Sequence, residues 1–186
     1  MSTSSLLVPS LVQMLNSLSS WLTKAESQQA EADALLTARL APDMFPLATQ
    51  VRFACVQAYE AVSRLKGEAL PAMVNELLED GRNAGEQPGT LADAQARITA
   101  TLSMLEALAP DALDVEPGKE LVHELPNGMI FDFTAEQYIR DWVLPQFYFH
   151  VMTAYAILRS EGIQLGKADY VAHLFPFIRP ETLPKA

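Results

Sequence analysis

The chain has 186 residues, a formal net charge of −10 and a single cysteine. Its composition, 49% hydrophobic and 19% charged, is typical of one folded domain and unlike that of disordered chains. The acidic charge, with no cluster of Lys and Arg to offset it, disfavours nucleic-acid binding. With Cys55 as its only cysteine, the chain cannot form an intrachain disulfide. Cys55 lies on the apolar stripe of a predicted helix, which predicts a buried, unreactive thiol.

The first element is an amphipathic helix from about residue 8 to residue 28, with Pro9 in its first turn. Its apolar positions recur at spacings of four and three: Leu7, Leu11, Met14, Leu18, Trp21 and Ala25. The amino-terminal sequence MSTSSLLVPSLVQMLNSLSSWL has neither a basic leader nor an uninterrupted apolar run. We therefore expect no signal peptide, no membrane contact and a cytoplasmic location.

The second long helix is predicted over residues 44–66, after a short helix and a turn in EADALLTARLAPDMFP. Asp43 is a candidate N-cap, Pro46 falls early enough to miss no hydrogen bond, and Gly67 should end the helix. Residues 68–89 are predicted as loop around a short helical piece near residues 73–79, and DGRNAGEQPG is the clearest break.

The third long helix should open at Thr90, which forms a capping-box pattern with Asp93. Its predicted inward residues are Leu91, Ala94, Ile98, Leu102, Leu105 and Leu108.

A β-hairpin is predicted in KELVHELPNGMIFDF, with its turn at residues 126–128. Thr134 and Gln137 form a second capping-box pattern that starts the last long helix, which Pro145 should kink and Gly162 should end.

Four amphipathic helices, each with one apolar face, predict an all-α four-helix bundle with the hairpin inserted before the last long helix. We expect one domain over residues 1–186, in which about 163–186 form a C-terminal strap across the bundle or towards a partner subunit. Lys167 and Asp169 in this segment either close over a ligand or anchor the tail.

One face of the last helix changes character in its middle. The face comprises Ile139, Val143, Gln146, His150, Thr153 and Ile157. Polar side chains in the middle of a bundle are unfavourable unless they are paired or hydrated. Gln50, at the edge of the second helix's stripe, is a reasonable partner. The band at Gln146, His150 and Thr153 is therefore a satisfied network that fixes helix register, the floor of a small-molecule pocket, or a metal site.

The segments LAPDMFPLATQV, LPQFYFHVMTAYAILRSEG and LGKADY resemble an uncharacterised bacterial family within the DinB/YfiT-like superfamily of proposed metalloenzymes. The resemblance implies a DinB/YfiT-like bundle that is usually homodimeric. In metal-binding members one histidine comes from the second helix and two come from an HxxxH pair on the last. By this resemblance His150 matches the second histidine of the pair, Gln146 the first, and Gln50 the histidine of the second helix.

Glutamine thus stands at two of the three ligand positions. Zinc and nickel are held by about three nitrogen, sulfur or carboxylate ligands, and a glutamine carbonyl is a weak neutral donor. We therefore expect no metal cofactor, with Zn or Ni bound through His150 as the alternative. His123 lies on the strand face of Leu121 and Leu125 and is predicted to be a half-buried filler, and His173 lies in the tail.

The sequence contains no phosphate loop, nucleophile motif or HExxH motif that would assign a reaction. Three functional hypotheses therefore remain open. The first is a homodimeric small-molecule-binding or interaction protein with a degenerate metal-site pocket at His150, Gln146, Gln50 and Thr153. The second is a metal-dependent enzyme of thiol-transferase or hydrolase type with His150 as ligand or general base. The third is a purely structural polar band. We adopt the first.

Overall fold

The computed structural model describes residues 2–125 and 127–182. Four long helices form the bundle: α1 (Thr3–Gln28), α2 (Leu47–Lys66), α4 (Leu91–Glu106) and α6 (Leu144–Ser160). Around the bundle α1 lies between α4 and α6, and α2 lies between the same two helices on the opposite side. The predicted four-helix bundle is confirmed. Within the described residues no helix is both long and apolar enough to cross a membrane.

Helix α1 begins at Thr3, five residues before the predicted start. Ser2 caps it, and a capping box with Ser5 satisfies backbone N–H groups that a first helical turn leaves open. Pro9 therefore lies inside the helix, beyond its first turn. The predicted inward stripe is confirmed, since all six of its residues are buried.

Helix α2 begins at Leu47 with Pro46 at the N-cap, so the predicted start at residue 44 is wrong. Asp43 is not the N-cap, because it lies in an exposed turn ahead of the helix. Gly67 ends the helix as predicted, with a φ of 73° that favours glycine. Sixteen of the twenty residues of α2 are buried, because α3 (Ala72–Arg82), α4 and α6 pack around it. Several polar side chains of α2 are consequently enclosed.

Helix α3 (Ala72–Arg82) is longer than predicted and contains Gly81, which the sequence indicated as a break. The glycine is present for a packing reason. A Cβ at residue 81 would lie 2.4 Å from Cε1 of Phe53, well inside van der Waals contact. Gly81 thus lets the Phe53 ring of α2 lie directly against the backbone of α3.

Helix α4 opens with the predicted capping box of Thr90 and Asp93. Leu102 is only partly buried, and Leu108 lies beyond the end of the helix at Glu106.

The hairpin pairs β1 (Glu120–Glu124) with β2 (Ile130–Thr134) antiparallel, with His123 opposite Phe131. The predicted turn includes Pro126, which lies outside the described residues. The capping box of Thr134 and Gln137 is confirmed, and it opens α5 (Ala135–Gln137). A π-helical segment, Tyr138–Val143, then joins α5 to α6. Pro145 lies at the start of α6, where its missing N–H is tolerated, and Gly162 ends the helix with a φ of 86°.

The C-terminal segment lies along α1 and contains α7 (Lys167–Tyr170), followed by 3₁₀ turns at Ala172–Phe177 and Pro180–Thr182. Asp169 pairs with Lys24 of α1 at 2.5 Å, and the Trp21 indole donates to the Asp169 carbonyl at 3.2 Å. The Tyr170 ring stacks on Trp21. Asp169 therefore anchors the tail.

The single cysteine, Cys55, is buried in the core. Burial raises the pKa of its thiol to about 11, in keeping with an unreactive thiol.

Candidate functional site

A cleft of about 730 Å³ opens between α2, α3, α6 and the hairpin. Its apolar walls are formed equally by aromatic and by aliphatic side chains: Phe45, Phe53, Trp142 and Phe149, with Val56, Leu70, Leu78 and Leu125. Its polar lining includes a group around His150 and another around His123. Apolar walls with a few placed polar groups are typical of small-molecule sites.

The polar group around His150 is built by a chain of two hydrogen bonds. The side-chain Nε2 of Gln50 donates to the Phe45 carbonyl at 3.0 Å, and His150 Nδ1 lies 2.9 Å from Gln50 Oε1. A carbonyl can only accept, so the amide nitrogen of Gln50 must point at Phe45 and its oxygen at His150. Nδ1 of His150 therefore carries the proton, and Nε2 is left with a lone pair.

His150 is neutral near pH 7. Burial lowers the pKa of its imidazole to about 4, because the charged form would lose its hydration. The rings of Phe53 and Phe149 meet it edge-on, with centroids 5.4 Å and 5.3 Å away. The structure records no hydrogen bond at Nε2 among the residues it describes. His150 thus offers the cleft a fixed, uncharged acceptor.

The other predicted pocket residues take different positions. Gln146 lines the cleft one turn before His150. Gln50 lies behind His150, with both ends of its amide already bonded. Thr153 donates to the Phe149 carbonyl at 2.7 Å, and its side chain does not line the cleft. The structure therefore joins Gln50 to His150, places Gln146 beside them and leaves Thr153 apart.

His123 was predicted to be a half-buried filler, and its burial was underestimated. It is 1% exposed and lines the cleft, with its ring 4.4 Å from that of Trp142. Both of its ring nitrogens are buried without a hydrogen-bond partner in the described part of the chain. Each such group is unfavourable by about 1–3 kcal/mol. Burial, followed by the charge of Arg64, lowers the pKa of His123 to about 4.

Buried polar groups of α2 continue the wall beside His123. Glu60 and Arg64 lie one turn apart, with Oε1 and Nη2 separated by 3.6 Å, and burial raises the pKa of Glu60. Arg64 Nη1 also donates to the Val122 carbonyl at 3.3 Å. Within residues 2–125 and 127–182, Gln57 Oε1, Arg64 Nε and Trp142 Nε1 are buried without partners. No local sequence pattern indicates this group, because its members come from α2 and from the segment before α6.

The residues at the His150 end do not fit a zinc or nickel ion. The oxygen of Gln50 already accepts the proton of His150, which leaves one imidazole nitrogen and the amide of Gln146. Among the described residues, no three His, Cys, Asp or Glu side chains are grouped as metal ligands. Structural and catalytic zinc sites supply three or four such ligands. The ligand set implied by the family resemblance is thus incomplete here.

Comparisons with known proteins agree with the fold. The profile of a family described as "Domain of unknown function (DUF1993)" matches residues 4–171. The crystal structure of a DinB family member protein from Shewanella denitrificans superposes with a TM-score of 0.72 at 30% sequence identity, covering 97% of this chain and 95% of that one. No match is found among curated proteins. The chain belongs to the DUF1993 family and has the DinB fold.

Proposed function

We propose that the chain is a small-molecule-binding protein and that its ligand occupies the cleft beside His150. The observation that carries this proposal is the hydrogen-bonded chain from the Phe45 carbonyl through Gln50 to His150. It fixes one tautomer of a buried imidazole and leaves the Nε2 lone pair free at the cleft. A merely structural histidine would be expected to have both nitrogens bonded.

The cleft favours an uncharged ligand with an O–H or N–H donor. A neutral imidazole with Nδ1 protonated accepts at Nε2, so it pairs with a donor and not with an anion. The charged side chains that line the cleft balance, since Glu60 and Glu124 are matched by Arg64 and Arg82. Aromatic walls favour a flat apolar body between the polar groups.

A metal-dependent enzyme is less well supported, because the ligand set at His150 is incomplete. A metal-free general base is also poorly supported. A group with a pKa near 4 is a weak base at neutral pH, and the described residues place no nucleophile beside His150.

Phenol is a suitable first probe, because it combines one donor hydroxyl with an aromatic ring. Its affinity should be measured by NMR titration for the wild type, His150→Leu and Thr153→Val. Thr153 lies on the same helix but does not line the cleft, so it is the matched control. We expect His150→Leu to weaken phenol at least about fivefold, the equivalent of one hydrogen bond, and Thr153→Val to leave the affinity unchanged. Equal affinities in all three proteins, or no binding to the wild type, would contradict the proposal.

A further inference from the structure

The wall of the cleft around His123 contains more unpartnered polar atoms than a folded protein usually leaves. His123 Nδ1 and Nε2, Arg64 Nε, Gln57 Oε1 and Trp142 Nε1 all lack partners among the residues described, and all four side chains line the same cleft. Most buried polar atoms in native proteins are bonded to protein or to ordered water. A cluster of such atoms at one cleft indicates a group that the folded chain itself does not supply.

The unpartnered atoms specify the chemistry of that group. Arg64 Nε and Trp142 Nε1 are donors, Gln57 Oε1 is an acceptor, and a neutral His123 supplies one of each. A carboxylate would satisfy the donors, but it would face the Gln57 oxygen and the nearby Glu60 carboxylate. An ammonium group would face Arg64. An uncharged amide, with C=O and N–H side by side, offers both kinds of partner without adding a charge.

The two polar places lie at different levels of the bundle. His123 packs against Trp142, which precedes His150 by eight residues, or about two helical turns. A ligand that reaches both places therefore carries its polar groups at opposite ends, as a benzene ring substituted at opposite positions does.

We propose that the wall formed by His123, Arg64, Gln57 and Trp142 recognises an uncharged amide group, so that the ligand carries an amide at this end and an O–H or N–H donor at His150. This inference rests on the proposed function, since it requires a small molecule in the cleft. It adds the polar group at the second end of the ligand.

The test compares 4-hydroxybenzamide with phenol and 4-hydroxybenzoate by NMR titration. All three offer a hydroxyl to His150, and they differ only in the group at the far end. We expect the wild type to bind 4-hydroxybenzamide at least about fivefold more tightly than either comparator. His123→Leu should remove that advantage and leave the affinity for phenol unchanged. Val122→Thr, on the exposed face of the same strand, is the matched control and should retain it.

A second variant protects the test against misfolding of His123→Leu. Trp142→Phe keeps an aromatic wall and removes only the Nε1 donor, so it should reduce the advantage of the amide in part. If phenol binds but the amide adds nothing, ordered water satisfies this wall and the inference is wrong, while the proposed function stands. Tighter binding of 4-hydroxybenzoate would likewise overturn it in favour of an anion site. If none of the three probes binds, both proposals fail.

Discussion

Gly81→Ala tests whether the position of the Phe53 ring requires a residue without a side chain at position 81 of α3. The Phe53 ring lines the cleft beside His150. The added Cβ would lie 2.4 Å from Cε1 and 2.9 Å from Cδ1 of Phe53. Favourable carbon–carbon contacts are about 3.5–4.0 Å, so the ring must move by about 1 Å. Because the His150 ring centroid lies 5.4 Å from that of Phe53, this movement should alter the cleft.

Two opposing effects set the magnitude. Overpacking of this kind is unfavourable by about 1–3 kcal/mol. Gly81 is the next-to-last residue of α3, so alanine there is more favourable than glycine by at most about 1 kcal/mol, the value for a helix interior. The free energy of unfolding should therefore fall by about 0–2 kcal/mol in Gly81→Ala. The same substitution at an exposed helical glycine would raise the free energy of unfolding.

Urea denaturation of four proteins separates the two effects: the wild type, Gly81→Ala, Phe53→Ala and the double variant. In the Phe53→Ala background the steric conflict is absent, so Gly81→Ala should stabilise the protein by up to about 1 kcal/mol. The sign of its effect should thus depend on residue 53. Phenol affinity should fall in Gly81→Ala and also in the two variants that lack the Phe53 ring, since that ring lines the cleft. The same change in the free energy of unfolding in both backgrounds would refute the reasoning.

Three further predictions concern His123, His150 and the two glutamines. Acidification from pH 6.5 to pH 4 should cost up to about 3 kcal/mol of stability per histidine, because the unfolded chain takes up protons at a pKa of 6.5 and the folded chain only near 4. Urea melts of His123→Leu should therefore show a flatter pH profile, and a profile parallel to the wild type would contradict this. Gln50→Glu should raise the pKa of His150, because a carboxylate at Nδ1 stabilises the imidazolium, and an unchanged NMR titration would argue against that contact. The pair Gln50→His and Gln146→His should bring zinc or nickel content, measured by mass spectrometry, close to stoichiometric; equal metal in the wild type would contradict the degenerate site.

Much of the fold was predictable from local patterns. Apolar residues at helical spacing located the four long helices, and the capping boxes at Thr90 and Thr134 located the starts of α4 and of the short helix α5. The break predicted in DGRNAGEQPG begins only at residue 83, because α3 continues to Arg82. The reason for Gly81 is a contact with Phe53, twenty-eight positions earlier in the sequence. Such a contact leaves no trace in the local pattern.

The candidate site was predictable only at one end. The polar band on α6 pointed to His150, and helical spacing pointed to Gln50 as its partner. Thr153 has the same spacing, but its hydroxyl bonds to backbone within its own helix. His123 lies on the same inward face of β1 as Leu121, so the burial of His123 could have been inferred from the alternation of the strand. Its position in the cleft could not, because that depends on how the hairpin packs against Trp142.

The π-helical segment Tyr138–Val143 has a consequence for how this chain can vary in length. One residue of an α-helix corresponds to about a quarter of a turn, so deleting one of residues 138–141 would rotate the hairpin that carries His123 relative to His150 and separate the two ends of the cleft. Insertions in exposed loops have no such effect. Homologous sequences that keep the cleft should therefore conserve the number of residues between Thr134 and His150, whatever happens to the lengths of their loops.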